Sequence, residues 1–110
     1  MLTKSCETAV VQIWMAGDYA CAVQACREFT MRGLCVSVTP ADFVFTMGLE
    51  SGVCVTLINY PRFPASAEQI ESTAIDLATF LMGALFQGSC SVVGPNETTW
   101  LTRRPQDAPE

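Results

Sequence analysis

Residues 52–64, GVCVTLINYPRFP, impose the tightest constraint on what this chain folds into. Val53, Val55 and Leu57 alternate with Cys54, Thr56 and Ile58, so the period is two and both faces are largely apolar. That is the pattern of a central strand covered on both sides. Asn59-Tyr60-Pro61-Arg62-Phe63-Pro64 then ends it, because each proline removes a ladder donor, fixes its own φ and drives the residue before it toward extended geometry. The corner is stiff, and it holds out an amide (Asn59), a phenol (Tyr60) and a guanidinium (Arg62) at a strand's C-terminal end. Fixed polar groups of this kind suit a ligand site. A loop that only leads into the next helix is the plainer alternative.

What surrounds that corner is a single domain of residues 1–104, since 110 residues bury one modest core and no linker or repeat divides them. Charged residues make up only 15% against 50% apolar, thin cover for a small monomer, so part of the surface is expected to pack against further copies. The net charge of −5 argues against nucleic acid and favours a cationic ligand over an anionic one. There is no histidine, which removes the commonest metal ligand and general base together; no metal and no cofactor are expected. The six cysteines contain no C-x-x-C pair and read as reduced, cytosolic thiols. The apolar run 9–16 is short and interrupted by Gln12, hence neither a signal peptide nor a membrane span, and a soluble protein is expected.

Taken in order, Val10, Val11, Ile13, Trp14 and Met15 predict a first strand closed by Ala16-Gly17. Asp18 is an N-cap for a helix over 19–31, with Gly33 at its C′ position. Residues 34–39 predict a strand broken at Pro40 and resumed over 43–47. Gly48-Leu49-Glu50-Ser51-Gly52 then reads as a five-residue hairpin loop. Ser66 with Gln69 forms a capping box that opens a long helix to about residue 87, stopped by Gly88. A strand over 89–93, a turn at Gly94-Pro95-Asn96 and a short edge over 98–101 follow, and 105–110 reads as a flexible tail. The order β-α-β-β-α-β predicts an α+β, ferredoxin-like antiparallel sheet with two helices on one face.

In the long helix, Ile70, Ala74, Leu77, Ala78, Leu81, Ala84 and Leu85 make the stripe that covers the sheet, while Ile75, Met82 and Phe86 form a second beside it. A monomer needs only the first, and the sheet's other apolar face must also be covered, so subunits are expected to pack there. Glu71 lies between the stripes, one turn before Ile75. Alone, it reads first as a glutamate complementing the helix dipole.

Cys26-Arg27-Glu28-Phe29, Gly33-Leu34-Cys35-Val36, the run from Leu57 to Pro64, the run from Glu97 to Arg104, and the spacing from Tyr60 to Glu71 together resemble the small phage-encoded S-adenosylmethionine (SAM) lyases, formerly called SAM hydrolases. The resemblance covers roughly residues 10–104. It implies a homotrimer akin to the PII-type signalling proteins, with active sites between subunits. It implies cleavage of SAM to 5′-methylthioadenosine and homoserine lactone in the host cytoplasm, depleting the SAM that restriction requires. It places Tyr60 and Glu71 in the substrate pocket as catalytic groups and leaves much of the remaining binding to the backbone; Asn59 and Arg62, read from the corner itself, are expected as further substrate-binding residues.

The residue inventory is compatible with that chemistry. SAM brings its own leaving group, a sulfonium, and its own nucleophile, a carboxylate, so ring closure needs neither metal nor general base. Two other readings stand beside the enzyme. One is a non-catalytic PII-like trimer holding an adenine nucleotide, which only six basic residues make hard to reconcile with phosphates. The other is a structural trimer without a small ligand.

Overall fold

The computed structural model describes residues 1–107. Five strands and two α-helices follow one another as β1 (Val10–Ala16), α1 (Tyr19–Phe29), β2 (Ser37–Phe45), β3 (Gly48–Ile58), α2 (Ala67–Ala84), β4 (Ser89–Val93) and β5 (Thr98–Thr102). Every pairing is antiparallel and the sheet order is β2-β3-β1-β4-β5. This is the expected α+β, ferredoxin-like arrangement with a fifth strand added beyond β4.

Both helices start, and α1 stops, for reasons visible in their sequences. The Asp18 carboxylate accepts from Cys21 N at 2.9 Å. At α2, Ser66 Oγ accepts from Gln69 N at 3.1 Å while Gln69 Oε1 accepts from Ser66 N at 2.9 Å, the reciprocal capping box. Gly33, at φ 95°, supplies the left-handed residue after α1 and its short 3-10 extension. The stop of α2 falls three residues before the expected 87. Phe86, not glycine, takes the left-handed position (φ 56°), and Gln87 N closes back on Met82 O at 2.9 Å. That bond and the one from Phe86 N to Gly83 O make a Schellman turn.

One face of the sheet carries the core. Val11, Ile13, Met15, Val53, Val55, Leu57 and Val92 meet Ala22, Ala25, Cys26 and Phe29 of α1 and Ile70, Ala74, Leu77, Ala78 and Leu81 of α2. Among the described residues no helix lies over the other face, so β3 lies between β1 and β2 but carries a helix layer on one face only. Val10 and Ile58 stay exposed there, whereas Cys54 is buried beside Trp14 and the edge-to-face pair that Trp14 forms with Phe43 at 6.4 Å.

Two expectations are corrected. Strand β2 is not broken at Pro40: the strand runs through it, with Pro40 opposite Val53, and the missing N–H is tolerated because β2 is an edge. The hairpin loop is not 48–52 but Thr46-Met47, with Phe45 opposite Gly48 and Met47 at φ 63°. Gly48 and Gly52 sit inside β3, where a Cβ would run into the rings of Phe45 and Phe43 respectively.

The second stripe of α2 is mostly consumed by the chain itself. Met82 is buried and Ile75 packs on the core, and Ile75 shares a cleft with Val92 of β4 and Leu101 of β5; Phe86 alone of the three is left out, 93% exposed. Ile75 thus faces the β4–β5 hairpin across that cleft. Within the expected tail, Pro105–Asp107 forms a 3-10 turn, and the Asp107 carboxylate accepts from Thr102 Oγ1 at 2.6 Å and Arg104 Nε at 2.8 Å. Residues 108–110 lie outside the described residues.

Candidate active site

The proline corner is built by Asn59. Its Nδ2 donates to Glu7 O at 2.7 Å, its backbone N donates to Ala9 O at 2.9 Å, and its Oδ1 accepts from Ala65 N at 3.0 Å. One amide thus ties the N-terminal segment to the far end of the corner. Both side-chain polar atoms are engaged in the chain, and Asn59 also lines the cleft that the corner forms.

Between these ties, Phe63 N donates to Tyr60 O at 3.0 Å, which curls the corner and brings the Tyr60 and Phe63 rings together at 5.4 Å. Tyr60 and Phe63 wall a cleft of about 160 Å³, lined also by Leu34, Ile58, Gln69 and Thr73, with no charged residue in its wall. The phenol's pKa is raised above its ordinary value, first by side-chain hydrogen bonding with Cys35 and then by burial. The hydroxyl is therefore a neutral donor at physiological pH. Arg62 is exposed and lines none of the clefts described for this protein.

Glu71 faces another way. On α2, Gln69 and Thr73 turn toward the Tyr60 cleft, while Glu68, Glu71, Ser72 and Ile75 turn toward a second cleft of about 410 Å³. Its floor is Ile75, Val92 and Leu101, and its rim carries Glu68, Glu71 and Glu97. Gly94, which donates to Glu97 O at 2.9 Å to close the β4–β5 turn, lets the Glu71 carboxylate lie directly over the backbone. Among the described residues these carboxylates do not converge closely enough to hold a metal ion. The arrangement offers negative charge over an apolar floor, suited to a cation with a hydrocarbon stem.

Of the four residues singled out from the sequence, Asn59 and Tyr60 line one cleft and Glu71 another, and the two clefts are separate within one protomer. Phe63, Gln69, Glu68 and Glu97 also line them and escaped the sequence reading. Gln69 was legible only as half of a capping box; Glu97 stands at the head of one of the segments that carried the resemblance.

Two solved structures match over nearly the whole chain. A phage SAM lyase in its apo state superposes with a TM-score of 0.70 at 14% identity, over 94% of this chain and 98% of that one. A phage SAM lyase in complex with S-methyl-5′-thioadenosine gives 0.70 at 14% identity over 93% and 95%. This chain has the fold of the phage SAM lyases. No family model and no curated protein sequence matches it; the two solved structures bear out the resemblance that the sequence segments carried.

Proposed function

We propose that this chain is a SAM lyase that cleaves SAM to 5′-methylthioadenosine and homoserine lactone. The observation that carries the reading is the shared fold over 94% of the chain with a phage SAM lyase, a fold also seen in a complex with S-methyl-5′-thioadenosine. In the reaction, a carboxylate oxygen of the methionyl group attacks its own Cγ, and the Cγ–S bond breaks. The bonding pair passes to sulfur, which leaves as a neutral thioether, and no proton needs to move. Attack within a held conformer is worth an effective molarity of roughly 10⁵–10⁸ M, whereas hydrolysis would need a positioned water.

The residues divide the substrate between them. The uncharged cleft of Tyr60 and Phe63 suits the nucleoside, and the acidic cleft suits the ammonium, where a carboxylate at about 4 Å contributes on the order of 4 kcal/mol at an effective dielectric of 20, before desolvation. Because the two clefts are separate in one protomer, the reading requires them to meet between neighbouring copies. A homotrimer packed through the open sheet face provides this. In a phage-infected host's cytoplasm such an enzyme would deplete SAM and blunt restriction.

The test is incubation of the purified protein with SAM in H₂¹⁸O, with products identified by mass spectrometry. Methylthioadenosine and unlabelled homoserine lactone are expected, unaffected by EDTA. Homoserine labelled from the first time point overturns the lyase step, and binding of methylthioadenosine without turnover makes the protein a binding module.

A further inference from the structure

We propose that Gln69 and Thr73 of α2 are the specificity-determining pair of the Tyr60 cleft, reading the edge of a purine that carries an exocyclic amino group beside a ring nitrogen. This rests on the reading of that cleft as the nucleoside half of the site, and deepens it. Both residues line the cleft that Tyr60 and Phe63 wall. They stand one helical turn apart, the spacing at which side chains lie side by side with Cβ atoms about 5–6 Å from each other.

The capping box fixes what Gln69 offers. Ser66 N can only donate, and it donates to Gln69 Oε1 at 2.9 Å, so the amide oxygen is spent on the helix start. The atom left for the cleft is Nε2, a donor. A glutamine free to rotate could present either end; this one is held, with its own backbone N bonded to Ser66 Oγ at 3.1 Å. Thr73 offers the complement. Thr79 on the same helix spends its hydroxyl on Ile75 O at 2.9 Å, one turn back, whereas among the described residues the half-buried Thr73 hydroxyl has no partner, and its oxygen can accept. Asn59, the other amide in the wall, spends both ends on Glu7 O and Ala65 N. Besides the Tyr60 hydroxyl, the uncommitted side-chain polar groups of the wall are therefore these two. An aromatic wall accepts any base, because every base has a π-face. A fixed donor next to an acceptor selects among them: an aminopurine meets the pair with a ring-nitrogen acceptor and an amino donor, and an edge without that pairing leaves one side unmatched.

Isothermal titration with 5′-methylthioadenosine, which is uncharged, tests the pair apart from SAM turnover. Gln69→Glu keeps the capping box, which glutamate closes as well as glutamine does, and suits a helix N-terminus, so the melting temperature should hold or rise. It replaces the donor with acceptors, and Kd should rise about tenfold or more. Thr73→Val keeps the shape and should weaken binding about two- to tenfold. Wild-type protein should lose a similar factor toward the analogue with hydrogen in place of the amino group, and Thr73→Val should bind the two ligands alike. The proposal is overturned if folded Gln69→Glu binds methylthioadenosine as the wild type does, if Thr73→Val still prefers the amino ligand by the full factor, or if the wild type does not bind. SAM turnover is read separately. A wild type that discriminates between the ligands but leaves SAM intact overturns the lyase reading and keeps the pair; turnover with unchanged Kd in both variants overturns the pair and keeps the lyase.

Discussion

Gly94→Ala moves the Glu71 carboxylate without altering Glu71. An added Cβ would come 3.1 Å from Glu71 Cδ and 3.2 Å from Glu97 O, and would overlap Glu71 Oε1. Ordinary contact between such atoms needs about 3.5 Å, so the carboxylate must swing by about 1 Å or more. The φ of Gly94 is not in the left-handed region, and alanine keeps the N–H that donates to Glu97 O, so the turn itself survives. A misplacement of about 1 Å costs on the order of 100-fold in rate, or about 2.7 kcal/mol of transition-state stabilisation. We therefore expect kcat/KM for SAM to fall about 100-fold while the melting temperature moves little, because what yields is the end of a flexible side chain. Glu71→Ala and the double variant complete the cycle. If the effect passes through Glu71, the double variant is no worse than Glu71→Ala alone. A folded Gly94→Ala with wild-type turnover would refute the placement of the substrate ammonium over this cleft.

Tyr60→Phe keeps the stacking on Phe63 and removes the hydroxyl; kcat/KM should drop by about two- to tenfold, the scale of a hydrogen bond between uncharged groups at ~0.5–1.5 kcal/mol, and unchanged kinetics would reduce Tyr60 to packing. Because the folded pKa of Tyr60 is raised, its neutral form is stabilised below the ordinary value of 10.0, and that contribution disappears as pH rises through the folded value; a pH profile should be flat with respect to this group from neutrality upward and fall only beyond it. Ser66→Ala removes the N-cap of α2 at a cost of about 0.5–2 kcal/mol, which thermal melts should register as a drop of several degrees. Burial pushes the Cys26 and Cys90 thiols up to about 11, so at pH 8 a thiol reagent should label exposed Cys21 and Cys35 well before them; early labelling of Cys26 or Cys90 would show that the core opens.

The sequence made the helices legible because their signals are local: Asp18, the Ser66–Gln69 box and the stripe from Ile70 to Leu81 each act within a few residues. The β2–β3 hairpin was misread because its glycines answer to distant atoms. Gly48 and Gly52 are needed where Phe45 and Phe43 lay their rings across the strand, while the turn itself uses Met47, which carries no turn signature. The surplus stripe of α2 was visible, but that Ile75 would share a cleft with Val92 of β4 and Leu101 of β5 was not, since nothing local says how far a sheet extends. At the candidate site, Tyr60 stood out through its stiff corner, and Glu71 was paired with it only through the family resemblance. That they open into different clefts depends on which side of α2 each residue faces, and only the packed helix decides this.

The tie that Asn59 makes to Glu7 and Ala9 gives the corner a mechanical lever. The segment ahead of β1 is fastened to the residue just before Tyr60. A fusion close ahead of Glu7, an affinity tag included, is therefore expected to reach the geometry of the Tyr60 cleft through that one amide.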